Sequence, residues 1–417
     1  MRMNTAATSL LRPLLPRWMR SLRLRSRVLS FARPWLDKHP RLKSGLRTAE
    51  NNVGLLKHSA ATVLPMLIQP RPERITIAVT ASCNLRCAGC RYGRDFMPGH
   101  QLSLSTVRDL LDDAKAAGVS TVRLYGGEPL LHPDLPEMVR HACRIGIRPF
   151  ITTNGRLLRQ RVDSLYEAGL RQVSFGYYGA ADEYDAYVGA RGAFRQLERG
   201  VAAARDKYGE SIEMQMNFVL MRPTCSVQAV RDGWAFAQRY GISFRVDLIH
   251  YSLPYFSEGP DRTLQFTHAD APSIDLVVRE LAALKEAHPS TFRESLAAIR
   301  SIPDWLLKGP NMRVPCDAHN LIWVGADGTV QLCYVTFHLG NLNRERLRDM
   351  LFSPAHQAAA RGAFRLSCPN CHCERNTRIQ KHLPSRIRYG IRRPDSGRTV
   401  PAPRDLEAAT SDSRAIS

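Results

Sequence analysis

Between residues 74 and 250 the chain repeats one pattern: a run of β-branched and aromatic residues, a turn, then an amphipathic stretch closed by glycine. Strand-like runs fall at 75–80, 121–125, 148–152, 172–175, 212–220 and 244–249. Helical periodicity fills 105–117, 135–145, 157–168, 193–208 and 226–240. Strands that alternate with helices form a parallel sheet, because parallel neighbours need a crossover connection. Six such units predict an α/β fold, a partial (β/α)6 barrel rather than a closed eight-stranded one. In β/α barrels the chemistry lies just beyond the C-terminal ends of the strands. Three features fall there: a cysteine loop after the first strand, Gly126-Gly127-Glu128-Pro129 after the second, and Thr153-Asn154-Gly155 after the third.

Cys83, Cys87 and Cys90 are spaced CxxxCxxC. Three thiolates on one loop can bind three irons of a cubane cluster and leave the fourth open, much as a catalytic zinc keeps an open position. Zinc is the alternative, although it prefers paired CxxC arms and four ligands. A second set, Cys316, Cys333, Cys368, Cys371 and Cys373, surrounds a predicted hairpin, 321–324 and 329–333, turned by Asp327-Gly328. Four of these would close a second cluster. Cys373 is the surplus and could replace Cys368 or Cys371; His372 reads as a neighbour, and a structural zinc is again the alternative. Cys143 and Cys225 read as packing residues. Such clustering in a large chain signals metal more than disulfides, and implies a reducing compartment.

The formal charge is +21 and lies mainly at the ends. Residues 1–70 carry thirteen Lys/Arg against Asp37 and Glu50, and residues 374–417 carry ten against five acids. The middle is nearly balanced, which disfavours a broad nucleic-acid face. The predicted organisation is a basic leader (1–73), a barrel (74–260), a helical connector (261–310), a hairpin-and-helix iron–sulfur domain (311–376) and a loose basic tail (377–417). The leader, with a short predicted helix over 17–31, is either a membrane-surface segment or a solvated extension. No apolar run reaches the ~18–20 residues that span a bilayer. A helix is expected over 346–361 and a plain connector over 303–315.

The cysteine loop after one strand and Gly-Gly-Glu-Pro after the next resemble the radical SAM superfamily, over roughly residues 74–250. The resemblance implies that Cys83, Cys87 and Cys90 hold a [4Fe–4S] cluster whose open iron chelates S-adenosylmethionine. Gly126, Gly127, Glu128 and Pro129 match the segment that binds the cofactor's amino group; Glu128 could accept from an ammonium, and paired glycines allow close backbone approach. Ser174 and Asn154 are candidates for its polar end and ribose. Two departures stand out. Tyr178 occupies a position where the family often has aspartate, and Gly89 one where it usually has an aromatic near adenine, so Tyr92 is the candidate substitute. Arg222 is a candidate for the cofactor carboxylate, and Tyr177, Tyr178, Tyr251, Tyr255 and Phe256 for a pocket wall. The C-terminal cysteines, with Gly340-Asn341-Leu342, resemble twitch or SPASM auxiliary-cluster domains and imply one auxiliary [4Fe–4S] cluster. The implied activity is reductive cleavage of S-adenosylmethionine to a 5′-deoxyadenosyl radical. That radical takes hydrogen from a C–H bond of a small-molecule, lipid or peptide substrate. An external flavodoxin- or ferredoxin-like reductant supplies the electron. A SPASM-type peptide maturase and a non-catalytic electron-transfer protein are the alternatives. The expected location is cytoplasmic, with peripheral membrane attachment left open.

Overall fold

The computed structural model describes residues 39–92, 94–250, 261, 263–334 and 336–391. The helix expected over 17–31, the candidate wall residues Tyr251, Tyr255 and Phe256, and the tail beyond 391 lie outside them. Helix α1 (Pro40–Val63) precedes strand β1 (Arg74–Thr80). Then come α2 (Leu104–Ala116), β2 (Thr121–Gly126), α3 (Leu135–Arg144), β3 (Arg148–Thr153), α4 (Leu158–Glu167) and β4 (Gln172–Tyr177). They are succeeded by α5 (Ala181–Val188), α6 (Ala193–Tyr208), β5 (Glu213–Leu220), α7 (Val227–Arg239) and β6 (Ser243–Leu248). These six strands pair in parallel and in sequence order, as the alternation predicts. Serine caps set the helix starts: Ser103 Oγ accepts from the Thr106 N–H and Ser226 Oγ from the Ala229 N–H.

After helices α8 (Ala271–Ala287), α9 (Leu296–Arg300) and α10 (Ile302–Lys308), the chain returns to the same sheet. Strand β7 (Leu321–Val324) pairs in parallel with β1, and β8 (Thr329–Gln331) and β9 (His338–Asn341) continue antiparallel. One nine-stranded sheet results, in the order β6-β5-β4-β3-β2-β1-β7-β8-β9. The predicted hairpin is therefore an extension of the barrel sheet beyond β1.

The two faces of the sheet differ. Along β5, Met214, Met216, Phe218 and Leu220 are buried, whereas Gln215, Asn217 and Val219 are half-buried. Along β6, Phe244, Val246 and Leu248 are buried, whereas Arg245 and Asp247 are half-exposed. Parallel sheets ordinarily bury both faces in apolar contacts. Here the outer face does so and the inner face is polar, which marks it as a face that meets water or a ligand.

Three elements depart from expectation. The helix predicted over 346–361 is two, α11 (Leu347–Met350) and α12 (Pro354–Phe364). Between them Phe352 has φ +62° and Ser353 caps α12, with proline at its first position. The connector expected over 303–315 contains α10, whose Trp305 is fully buried. Residues 377–391 are not a loose tail: α13 (Arg375–Lys381) and α14 (Leu383–Gly390) pack onto α9. Helix α1 also docks at this end, where Ala61 and Ile68 form a small core with Ala360 and Phe364. Among the described residues no helix is long and apolar enough to cross a membrane.

Candidate active site and auxiliary cysteine centre

The cysteine loop leaves the C-terminal end of β1. Helix α5 clasps it: the Arg86 N–H donates to the Val188 carbonyl at 3.1 Å and the Ala88 N–H to the Tyr187 carbonyl at 2.8 Å. The Cys90 N–H returns to the Cys87 carbonyl at 3.2 Å. Burial raises all three thiols, Cys90 to about 11, and neighbouring thiolates add repulsion at Cys87 and Cys90. Three mutually repelling thiols on one loop suit an electron-poor metal group that stabilises the thiolate form, so the donors fit an iron–sulfur cluster.

The Gly-Gly pair is explained by the backbone beside it. A Cβ at Gly126, where φ is +139°, would lie 2.2 Å from the Thr80 carbonyl oxygen. One at Gly127 would lie 2.3 Å from that of Ser82. The Gly127 and Glu128 N–H groups donate to the Thr80 and Ser82 carbonyls, both at 2.8 Å. The second strand end is thus stitched to the cysteine loop, and only glycine permits the approach. Pro129 opens a short turn over 129–131 that buries Pro129 and Leu130.

The Glu128 side chain lies between the ends of β2 and β3. It is fully buried. Its carboxylate accepts from the Leu130 N–H (2.9 Å), Thr153 Oγ1 (2.7 Å) and the Asn154 N–H (2.7 Å). Burial pushes its pKa up to about 7 against these bonds. It braces the ends of β2 and β3 with three of the roughly four hydrogen bonds a carboxylate can accept. Asn154 lies at the loop: its Nδ2 donates to Asn84 Oδ1 at 2.7 Å, and its amide helps lower the Cys83 thiol. Ser174 faces the sheet's inner side, bonded to Thr152 Oγ1 at 2.7 Å. Arg222 pairs with Asp270 at 3.1 Å.

Tyr92 is enclosed by aromatic neighbours. Its ring is 3% exposed and packs edge-on to Phe96 and Tyr125. It belongs to a small core between the barrel and β7, against which Cys90 packs. The aromatic side chain beside Gly89 is Tyr187: a Cβ on Gly89 would lie 2.8 Å from its hydroxyl oxygen. Tyr187 stacks on Tyr178 at 4.3 Å. Sequence separation hid this partner, and the only signal was that Gly89 leaves room for a ring.

A cavity of about 330 Å³ runs along the sheet's inner face. Tyr178, Tyr187 and Ile249 line it near the cysteine loop, and Thr152, Ser174, Gln215 and Asn217 line its middle. Arg245 and Asp247, neighbours on one face of β6, pair along its wall at 2.9 Å, and Arg123 is held by Thr152 Oγ1 (2.8 Å) and the Tyr334 hydroxyl (3.2 Å). Tyr334 and Cys373 close one side.

Those two residues also line a second cavity, together with Cys316, Cys333, Cys368 and Cys371. All five C-terminal cysteines therefore converge on one site. A hydrogen bond between the free thiols of Cys371 and Cys373 lowers the Cys371 thiol and raises that of Cys373, and burial raises Cys316 and Cys368. No three His, Cys, Asp or Glu among the described residues are grouped tightly enough to hold one metal ion. A cluster, whose cysteines bind separate irons, does not require that convergence. The donors fit one auxiliary cluster. His372 turns away, its Nε2 donating to the Ile249 carbonyl at 2.9 Å and its ring stacking on that of His250. Cys143 bonds the Gly169 carbonyl at 3.5 Å as a packing residue.

Residues 77–224 match the sequence model of the radical SAM superfamily, and residues 316–374 match that of the SPASM iron–sulfur cluster-binding domain. The chain carries a radical SAM domain followed by a SPASM domain. Radical SAM domains bind a [4Fe–4S] cluster and S-adenosylmethionine, and SPASM domains bind auxiliary clusters. An AdoMet-dependent heme synthase of Oleidesulfovibrio alaskensis is 31% identical over 175 residues, 40% of this chain and 44% of that protein. A GTP 3′,8-cyclase of Chlorobaculum tepidum is 36% identical over 152 residues, 36% of this chain and 46% of that one. The chain spans less than half the length of these curated relatives. In fold it is similar to Streptococcus suis SuiB bound to S-adenosylmethionine: TM-score 0.55, 17% identity, 80% of this chain and 79% of that one. It is also similar to anSMEcpe with bound AdoMet: TM-score 0.54, 15% identity, 70% and 84%.

Proposed function

We propose that this radical SAM domain is catalytic, and that it removes a hydrogen atom from a C–H bond of a small polar substrate held on the inner face of the sheet. Cys83, Cys87 and Cys90 would hold a [4Fe–4S] cluster, which with one electron from a flavodoxin- or ferredoxin-type donor would supply the reductive cleavage of S-adenosylmethionine that makes hydrogen abstraction possible. The chain's own residues supply binding, orientation and shelter from water. Gly126 and Gly127 bring backbone against the cysteine loop, and Asn154 offers an amide there. Thr152, Ser174, Gln215, Asn217, Arg245 and Asp247 orient a polar molecule and exclude bulk water.

The observation that carries this reading is the cavity itself. One end meets Tyr187, which packs beside Gly89 of the cysteine loop, and its side is closed by Cys373 of the second cysteine set. A substrate there would lie between the two sites. An electron-transfer protein has no use for such a cavity. Lipid tails would strip water from Arg245, Asp247 and Asn217 without offering partners. SuiB has been crystallised with a precursor peptide, but the volume here is at the low end for small-molecule sites, which favours a small molecule over a folded peptide segment. The test is anaerobic: the reduced, iron-loaded chain forms 5′-deoxyadenosine from S-adenosylmethionine, and Cys87→Ala abolishes it. Absence of product with a full iron complement overturns the reading.

A second observation supports attachment to a membrane surface. Helices α1 and α14 expose Val53, Leu56, Val63 and Ile387, with Ile391 just past α14; residues 1–39, which lead into α1, carry nine Lys/Arg against Asp37, and Arg386 and Arg388 lie on α14. Exposed apolar residues beside basic segments suit an anionic lipid surface. Sedimentation with phosphatidylglycerol vesicles should fall for Leu56→Glu with Ile387→Glu; unchanged binding rejects attachment through these helices.

A further inference from the structure

Arg378 of α13 is fully buried and lines the cavity of the five cysteines. Its guanidinium donates to the carbonyl oxygens of Cys371 and Val314 and to Asn370 Oδ1 (3.2 Å), and lies 4.6 Å over the Trp305 ring. Its Nε has no hydrogen-bond partner among the described residues. Every one of these contacts is neutral. Removing a guanidinium from water costs several kcal/mol even after relaxation, and buried cations are ordinarily paired with an anion. The side chains that share its cavity include all five C-terminal cysteines, Cys316, Cys333, Cys368, Cys371 and Cys373. The anion that this arginine awaits is therefore the cysteine set in its metal-bound, thiolate form.

We propose that Arg378 is the positioning residue of the auxiliary cluster. Its charge balances the cluster thiolates and raises the cluster's reduction potential, while its fork on the Cys371 and Val314 carbonyls holds the Cys368–Cys373 loop against the segment that carries Cys316. This rests on the reading that these cysteines hold an iron–sulfur cluster. A cation this close favours the reduced, more negative state, and outer-shell partners of metal ligands are worth roughly 10–100-fold in metal affinity.

The experiment uses the full chain with Cys83, Cys87 and Cys90 all replaced by alanine, so that only the auxiliary site carries iron. Two replacements of Arg378 are compared. Arg378→Lys and Arg378→Gln both lose the fork, so any folding penalty falls on both, but only Gln loses the charge. Iron and sulfide are quantified, the potential is read by electron paramagnetic resonance during redox titration, and iron loss to a chelator is timed. The expected results are a lower potential for Gln than for Lys, and chelator-driven loss about 10–100-fold faster than with Arg378 for Gln. Equal potentials for Lys and Gln overturn the proposal while leaving the cluster reading intact. Absence of iron from the parent triple variant overturns the cluster reading, and the proposal with it.

Discussion

Gly127 is constrained by atoms that cannot yield. The oxygens a Cβ would meet, 2.3 Å away on Ser82 and 2.5 Å on Ala81, belong to the backbone of the cysteine loop. Gly127→Ala must push that loop away from the end of β2. Overpacking of this kind costs about 1–3 kcal/mol, and here the displaced atoms carry the cysteines. A lowered denaturant midpoint together with loss of iron at the first site is expected; wild-type values for both would contradict the close approach. Glu128 makes a different demand. With three donors aimed at its two oxygens, Glu128→Gln turns an N–H₂ group toward one of them. About 1–3 kcal/mol should be lost in denaturant unfolding, the cost of a buried group left unsatisfied. Glu128→Ala retaining full stability would show that the brace is dispensable.

At the scale of elements, the six strands of the barrel were legible because strand periodicity, helix periodicity and glycine stops agreed locally. Met214, Met216 and Phe218 already marked one face of β5. What could not be read was the purpose of the opposite face, since Gln215 and Asn217 become a cavity wall only when β4 and β6 flank them. The same limit applies to the contacts of Glu128 and Tyr92: spacing places a residue at a strand end or loop, but not the direction its side chain takes. The C-terminal helices were missed for another reason. Basic composition reads as solvated tail, and Arg378 is buried only because the cysteine cavity and Trp305 surround it. The two-faced strand makes a direct prediction. Met216→Ala should cost about 2–5 kcal/mol, as a core truncation does. The adjacent Asn217→Ala, on the cavity side, should cost less than about 1 kcal/mol. Denaturant unfolding of the two variants decides it, and equal losses would mean that the inner face is packed rather than open. Helix α12 offers a smaller check: Ser353→Ala removes the acceptor of the His356 N–H at 3.2 Å and should cost about 1 kcal/mol.

Across the whole molecule, the two ends of the described chain meet. Helix α1 and helix α13 pack together, and α1 also lies on α12 through His58, whose ring meets Phe364 edge-on at 4.9 Å. His58 is buried, and neither ring nitrogen has a hydrogen-bond partner among the described residues. Burial, then the cationic neighbours His382, Lys381, His319 and Arg378, hold its pKa down to about 4 from the ordinary 6.5. Between those values the unfolded chain binds a proton at His58 that the folded chain refuses. Stability is therefore intact above pH 6.5 and declines as the pH falls toward 4, by at most about 1.4 kcal/mol per pH unit from this residue. His58→Leu fills similar space without a proton to bind. Denaturant midpoints of wild type and variant with matched iron load should agree near pH 7.5 and separate on acidification, with the wild type falling faster. Parallel curves would show that His58 is protonated as readily in the folded chain as in the unfolded one, and that the N-terminal helix does not bury it.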